Sequence, residues 1–350
     1  MNAEYRSCAI SVTSIILLLF QSLMLHAEEE GSAVKKGRAF NGSVHFLIEK
    51  LSSGVFAAIH RDGGGAICNA GIIDLGDRTL IFDTFLTPQA AHDLMAAAET
   101  LTQSPVTLVV NSHCHNDHIW GNQVFATQSE ILSTRTTREL IVAQGKKQIE
   151  WYRENTPKQL ASLKERYESA REEEQKSELS LWIDYYGYLA EALPALEMVP
   201  PNVTFSGRME MHGCARTAEL IEYENGHTRS DLILFLPQDS IIFMGDLLFV
   251  GCHPYLGDGD PAALVSILED IRGMAASIFV PGHGPVGSAS DLGVLIDYVG
   301  ICRNIVSRVV DESRGEEALD AIEIPELFAD WQQSGFFRSN LRFLREHAIK

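Results

Sequence analysis

Basic residues are the first thing in short supply. The 350-residue chain has 28 Lys and Arg against 47 Asp and Glu, a formal net charge of -19. Such a surface does not neutralise phosphates, which excludes nucleic-acid binding as a function class. Cysteine is sparse and unevenly spaced, and no CxxC pair occurs. Beyond the N-terminal segment five remain: Cys68, Cys114, Cys214, Cys252 and Cys302. An odd number at irregular spacing is no disulfide framework, and a chain of this length needs none. Mostly free thiols, buried or near a site, are expected, with room for one pair. Long apolar runs are also missing. The N-terminal run holds roughly 14 mostly apolar residues, short of the ~20 that span a bilayer. Arg6 precedes it, and Leu25-His26-Ala27 and three glutamates follow. Residues 1–27 therefore read as a secretory signal peptide cleaved after Ala27. The mature protein is expected to be periplasmic or secreted, without a stable membrane anchor. No repeat of 20–50 residues is visible.

What is there suits a globular fold, with 45% hydrophobic and 21% charged residues. From Val44 to about Thr84 the runs "HFLIEKL", "VFAAIH", "AICNAGIIDL" and "TLIFDT" predict consecutive strands separated by Gly- and Asp-rich turns. "PQAAHDLMAAAETLT" predicts a helix with Leu94, Ala97 and Ala98 on one face. "VTLVV", residues 106–110, predicts a buried strand. Residues 134–199 are rich in Glu, Lys, Leu and Ala and predict two or three amphipathic helices, broken near Pro157 and Pro194. "REEEQK" in that insert reads as a solvated helix face. Strands return at "VTFSGRMEMH", "TAELIEYEN", "DLILFLP" and "SIIFMGD". A helix over roughly 261–275, the strand "SIFVPGHG" and the helix "DLGVLIDYVGICRNIVSRVVDE" follow. The folded domain is set at 40–310, with 311–350 as a docked helical tail.

Histidine is scarce, 12 in all, yet three fall within "NSHCHNDHIWGN". On an extended segment His113 and His115 point the same way. Asp117 continues that spacing, and His118 opens a helical turn that swings its imidazole aside. One loop can then offer N and O ligands to two neighbouring points. Three later strand-end positions supply more: His227 in "YENGHTRSDL", Asp246 in "IIFMGDLLF" and His283 in "IFVPGHGP". Cys114, between two ligands, points away by alternation and reads as a structural thiol. Trp120 and His253 are candidates for the substrate pocket, and Cys252 is a weaker metal candidate. His45, His60, His92, His212 and His347 read as surface or core residues.

In order and spacing these residues resemble the metallo-β-lactamase superfamily. Asp83 in "LIFDT", the motif at 113–118, His227, Asp246 and His283 match its pattern over roughly residues 44–300, excluding the insert. The resemblance implies an α/β fold, an αββα sandwich carrying a helical insertion. It implies a first metal on His113, His115 and His227 and a second on Asp117, His118 and His283, with Asp246 bridging. Two Zn2+ are expected, Fe or Mn being alternatives at either position. Asp83 would orient the histidine loop. The implied reaction is attack of a metal-bridged hydroxide on a carbonyl or phosphoryl centre, with Asp117 and Asp246 as catalytic residues.

The substrate is expected to be a small molecule, its identity open. β-Lactam hydrolysis is one reading, weakened because lactamases of this fold resemble one another in carrying Cys or Ser where Asp246 stands. A glyoxalase-II-like thioesterase and a quinoprotein-associated periplasmic metallohydrolase are others. An iron-dependent redox enzyme of the same fold is the different class. Diiron oxygen reductases of the fold carry a carboxylate where His115 stands, which argues against them. The aromatic-rich insert is expected to act as a lid or a homodimer surface, or to pack a small core of its own.

Overall fold

The computed structural model describes residues 40, 42–312 and 315–348. The signal-peptide reading for residues 1–27 lies outside them. Two sheets stack face to face between helical layers, an α/β sandwich of αββα type. The first sheet has seven strands in chain order: β1 (Phe46–Ser52), β2 (Val55–His60), β3 (Ala70–Asp74), β4 (Thr79–Phe82), β5 (Val106–Val110), β6 (Glu130–Thr134) and β7 (Val203–Phe205). β1 to β4 form an antiparallel meander, and β4 to β7 run parallel. The second sheet has order β12-β11-β10-β9-β8, from β8 (Arg208–His212), β9 (Thr217–Glu224), β10 (Ser230–Leu236), β11 (Ile241–Phe249) and β12 (Ile278–His283).

The core follows from the strand patterns. β4, β10 and β11 are buried along their whole length, as expected of strands covered on both faces. One side of each fills the space between the sheets, where Leu80, Phe82, Val110, Leu234 and Phe243 interlock. The other side meets helices. α1 (Pro88–Thr102) covers the first sheet, with Leu94, Ala97 and Ala98 buried. Thr87 caps α1, its hydroxyl accepting from the Ala90 N–H, and Pro88 suits the first helical turn. α6 (Pro261–Arg272), α7 (Ala289–Asp311) and α8 (Gly335–Ala348) cover the second sheet. α2 (Asn116–Ile119) and α3 (Asn122–Phe125) are single turns following the histidine loop.

In the tail, Phe328, Phe337, Leu341 and Leu344 join the same apolar cluster as Tyr298 and Val299 of α7. Three sequence expectations are corrected. Pro157 does not break the insert, because α4 (Arg135–Ser169) passes through it unbroken. An interior proline costs about 3 kcal/mol. Burial of Ile141, Ile149 and Leu163 offsets this, as do Arg153 bonds to the Leu193 and Leu196 carbonyls at 3.0 and 2.9 Å. The chain turns instead at 170–172, so "REEEQK" forms that turn and the exposed first turn of α5 (Glu173–Ala192). The break at Pro194 is present as a 3-10 turn, Leu193–Ala195. Second, "VTFSGRMEMH" is two strands in different sheets, divided at Gly207, whose φ of 77° only glycine adopts readily. Third, β6 had no counterpart in the sequence reading. Among the described residues no helix is long and apolar enough to cross a membrane, and the five cysteines are free thiols.

Candidate metal centre

The ends of strands from both sheets meet at one place. β5 stops at Val110, and the loop after it delivers His113 and His115. α2 begins at Asn116 and brings Asp117 and His118 in beside them, the His118 ring 4.3 Å from that of His113. The β9–β10 turn supplies His227, β11 supplies Asp246, and β12 ends on His283. Gly245, with φ of 51°, sits against Ser112, where a side chain would collide. Gly282 packs so close to the Asp246 carboxylate that a Cβ there would overlap it.

All seven expected ligands converge. The Asp246 carboxylate lies 3.8 Å from His113 Nε2, 3.1 Å from His118 Nε2, 3.3 Å from His227 Nε2 and 3.4 Å from His283 Nε2. His283 Nε2 and His118 Nε2 are 3.3 and 3.5 Å from Asp117 Oδ2. Three ligand-forming groups result among the described residues: His113, His115, His227 with Asp246; His118, Asp246 with His283; and Cys68, Asp117 with His118. Asp246 belongs to the first two.

The donor chemistry fits divalent cations. His227 Nε2 and His115 Nδ1 face each other at 2.9 Å. Burial, with His118 next in weight, holds His113 well below the usual imidazole range. Burial also takes His227 to about 3, so both present lone pairs. His113 Nε2 is buried with no hydrogen-bond partner. His118 Nε2 and Asp246 Oδ1 are 3.1 Å apart but misaligned for a hydrogen bond. Buried lone pairs turned on one another are costly without a cation between them. The carboxylates make the same point. Burial alone would raise Asp117, but His118 and His283 outweigh it and hold it at about 2. Burial lowers His283, but Asp246 and Asp117 outweigh that and take it to about 9. Positive charge is what the pair of carboxylates demands.

Supporting groups fix the ligands. Asp83 accepts from Ser112 N–H and Ser112 Oγ, both at 2.7 Å, and pairs with His118 Nδ1 at 2.8 Å. It thus has the orienting contacts expected of it, and His118 Nε2 is left to face the carboxylates. Other supports went unnoticed in the sequence. Asp258 meets His115 Nε2 at 2.9 Å. Asp231 accepts from the His227 and Thr228 N–H groups, pinning that turn. Burial pushes the Asp231 carboxyl up to about 7. Cys68 is fully buried and donates to the Asp117 carbonyl oxygen at 2.9 Å. Asn69 beside it ties the halves together: its N–H donates to the Gly282 carbonyl and its amide to the Pro281 and Gly284 carbonyls. The only sequence signal for Asp258 was its acid- and glycine-rich loop, "GDGD". Cys68 gave none.

A cavity of about 390 Å³ opens over the centre, lined by His115, Asp117, His227, Asp246 and His283. Both pocket candidates from the sequence are corrected. Trp120 is 1% exposed and lies behind the loop, edge-on to Tyr152 and packed with Ile141, Leu189 and Leu193, because the α2 turn rotates it inward. His253 is fully buried on the far side, its Nδ1 3.0 Å from Tyr298 Oη and its ring against Trp331 and Phe337. Pairing of its N–H with the Gln332 carbonyl turns it into the tail. Cys252 is likewise buried beside the tail, and Cys114 packs in the cluster around Trp120, away from the ligands. His60, read as surface or core, does line the cavity, its ring 6.0 Å from that of His283.

An αββα sandwich that gathers five histidines and two aspartates at the ends of its strands is a scaffold for metal-assisted chemistry. The chain belongs to the metallo-β-lactamase superfamily, whose family model matches residues 63–283, more than half of its length. Its fold is similar to that of a metallo-β-lactamase from Pontibacter korlensis, with TM-score 0.53 and 18% identity over 73% of this chain and 99% of that one. A metallo-β-lactamase from Hirschia baltica gives TM-score 0.52 and 15% identity over 73% and 97%. One from Erythrobacter litoralis gives 0.52 and 18% over 74% and 98%. At these identities the likeness is one of fold. No curated protein matches the sequence.

Proposed function

We propose that the protein is a dinuclear, zinc-dependent hydrolase acting on small molecules with a carbonyl or phosphoryl centre. The observation that carries this reading is Asp246, one carboxylate shared by four imidazoles from two ligand groups. Divalent cations, when bound, supply an acidified water as nucleophile and an electrophile for the substrate oxygen. His113, His115 and His227 would hold the first, and Asp117, His118 and His283 the second. Asp117 stands at the cavity edge, partly exposed where Asp246 is not. It is the residue placed to orient the attacking water and take its proton. Asp83, Asp258 and Asp231 keep ligand rings and loops in place.

Iron or manganese at either position would suit the same nitrogen and oxygen donors. β-Lactam hydrolysis is the second reading, favoured by the metallo-β-lactamases whose fold it shares and weakened by Asp246 where such enzymes resemble one another in Cys or Ser. Export rests on the apolar run before Ala27, and the N-terminal sequence of the mature protein tests it.

The deciding experiment pairs metal analysis of the purified protein with a panel of lactam, lactone, thioester and phosphodiester substrates. About two zinc ions per chain and turnover of one class are expected, falling by more than about a hundredfold in His115→Ala. One iron and no zinc, or full activity in that variant, would overturn the reading.

A further inference from the structure

The cavity above the metal centre is walled by segments far apart in sequence. The insert contributes Tyr152 from α4 and Trp182 and Tyr185 from α5, and the C-terminal tail contributes Phe336 at the start of α8. Tyr255 closes the circle, its ring 5.7 Å from Phe336 and 5.9 Å from His115. Hydrogen bonds link the tail to its neighbours around the rim. Gln332 donates to Asp62 at 3.1 Å, and Ser334 reaches Glu178 of the insert at 3.5 Å. The four aromatic residues from insert and tail are half-buried, so each keeps apolar surface that a bound group could cover. Charge at the rim is mostly acidic. Asp62 and Glu178 are carboxylates there, Asp258 lies lower against His115 at 2.9 Å, and Arg61 is the lining cation among the described residues, with no lysine beside it. The cavity wall therefore combines aromatic faces with a net acidic charge.

We propose that this wall is an acyl pocket for an uncharged apolar group of about phenyl size, attached to a neutral carbonyl at the metal floor. The proposal rests on the hydrolase reading and narrows it to esters, thioesters or lactones. Anionic phosphodiesters, and acyl groups with a distal carboxylate, meet the acidic rim. Water adds to the acyl carbon, the bond to the leaving oxygen or sulfur breaks, and the leaving group departs with a proton. A carboxylic acid and an alcohol or thiol are the products. A cavity of about 390 Å³ holds a group of this size beside the reacting carbonyl.

The test uses three thioesters of one small alkyl thiol, acylated with phenylacetyl, acetyl or 4-carboxyphenylacetyl, and the metal-loaded full chain. Burying a phenyl ring against the wall should favour phenylacetyl over acetyl by about tenfold to a hundredfold in kcat/KM. The carboxylated analogue should fall below phenylacetyl by at least about tenfold. Trp182→Ala and Phe336→Ala should each pull the phenylacetyl-to-acetyl ratio toward one, while Val142→Ala, on the exposed face of α4, leaves it alone. Binding of the hydrolysis-inert N-methylphenylacetamide, followed by NMR saturation transfer, reads the wall without turnover. Binding that both alanine variants weaken, with no thioester hydrolysed, upholds the wall and sinks the hydrolase. Turnover with equal rates for all three thioesters, or ratios unmoved in both variants, sinks the acyl pocket and leaves the hydrolase standing.

Discussion

Asp83→Asn is the most informative single change at the centre. Asp83 is 1% exposed and sits at φ 62°, a left-handed backbone that asparagine tolerates better than most residues. The substitution therefore preserves shape and removes only the charge and one acceptor oxygen. The amide oxygen of asparagine would still accept from the Ser112 N–H, but its NH2 group would face His118 Nδ1. An NH2 donor there favours the tautomer with its proton on Nε2, the nitrogen turned toward Asp117 and Asp246. That nitrogen then has no free lone pair for a cation. Loss of such an orienting partner typically weakens metal binding by about 10–100-fold, or about 1.4–2.7 kcal/mol. Stranding one buried donor costs a further 1–3 kcal/mol, roughly, in stability. The effect should fall most directly on the position held by Asp117, His118 and His283, and should reach His113 as well through Ser112 Oγ, which lies 2.7 Å from Asp83 and 2.9 Å from His113 Nδ1. Isothermal titration of the metal-free protein with zinc, with stoichiometry checked by elemental analysis, reads this directly. Two unchanged affinities would refute the reasoning.

Gly282→Ala should act on the same centre from behind, because its methyl group would overlap the Asp246 carboxylate. A marked loss of bound metal is expected, and retention of full metal content would contradict the packing. Asp258→Asn should weaken the His115 position by a smaller factor, since Asp258 is about half exposed; titration with zinc again decides. His253 gives a pH dependence remote from the metal. Burial lowers it from 6.5 to about 4, so between those values the unfolded chain binds more protons than the folded one. Stability from this group is fully present above pH 6.5 and is lost as pH falls toward 4, about 2 kcal/mol of it between pH 7 and 5. Urea melts at both pH values should show His253→Asn reducing that loss; an unchanged difference would mean the imidazole is not responsible.

The ligands were legible because their chemistry is carried by residue identity at fixed spacing. His113 and His115 share one end of a loop, their rings 4.7 Å apart, and the helical start swings His118 in against His113 rather than apart from it, at 4.3 Å. The supporting residues were not legible in the same way. Asp258 reaches His115 across a loop whose path no local pattern dictates, and Cys68 reaches Asp117 only once the sheets have stacked. Trp120 and His253 show the opposite error. Nearness in sequence to a ligand suggested a pocket role, but one turn of helix and one backbone bond to Gln332 send their rings into packed interiors. Pro157 was misread because propensity is local, whereas α4 is held along its length by tertiary burial. The tail was expected to dock, but nothing in its sequence signalled that Phe336 would reach the cavity.

Asn69 carries a consequence for the order of assembly. Its N–H and side-chain amide hold the strand bearing His283 against the half bearing the histidine loop. Ligands from 113 to 283 face one another only when that docking is complete. Before that docking the histidine loop alone offers His113, His115, Asp117 and His118, and the full set needs both halves in place. A cation held by the full set would therefore add its binding free energy to the docking of the two halves, like a bolt passed through both leaves of a hinge.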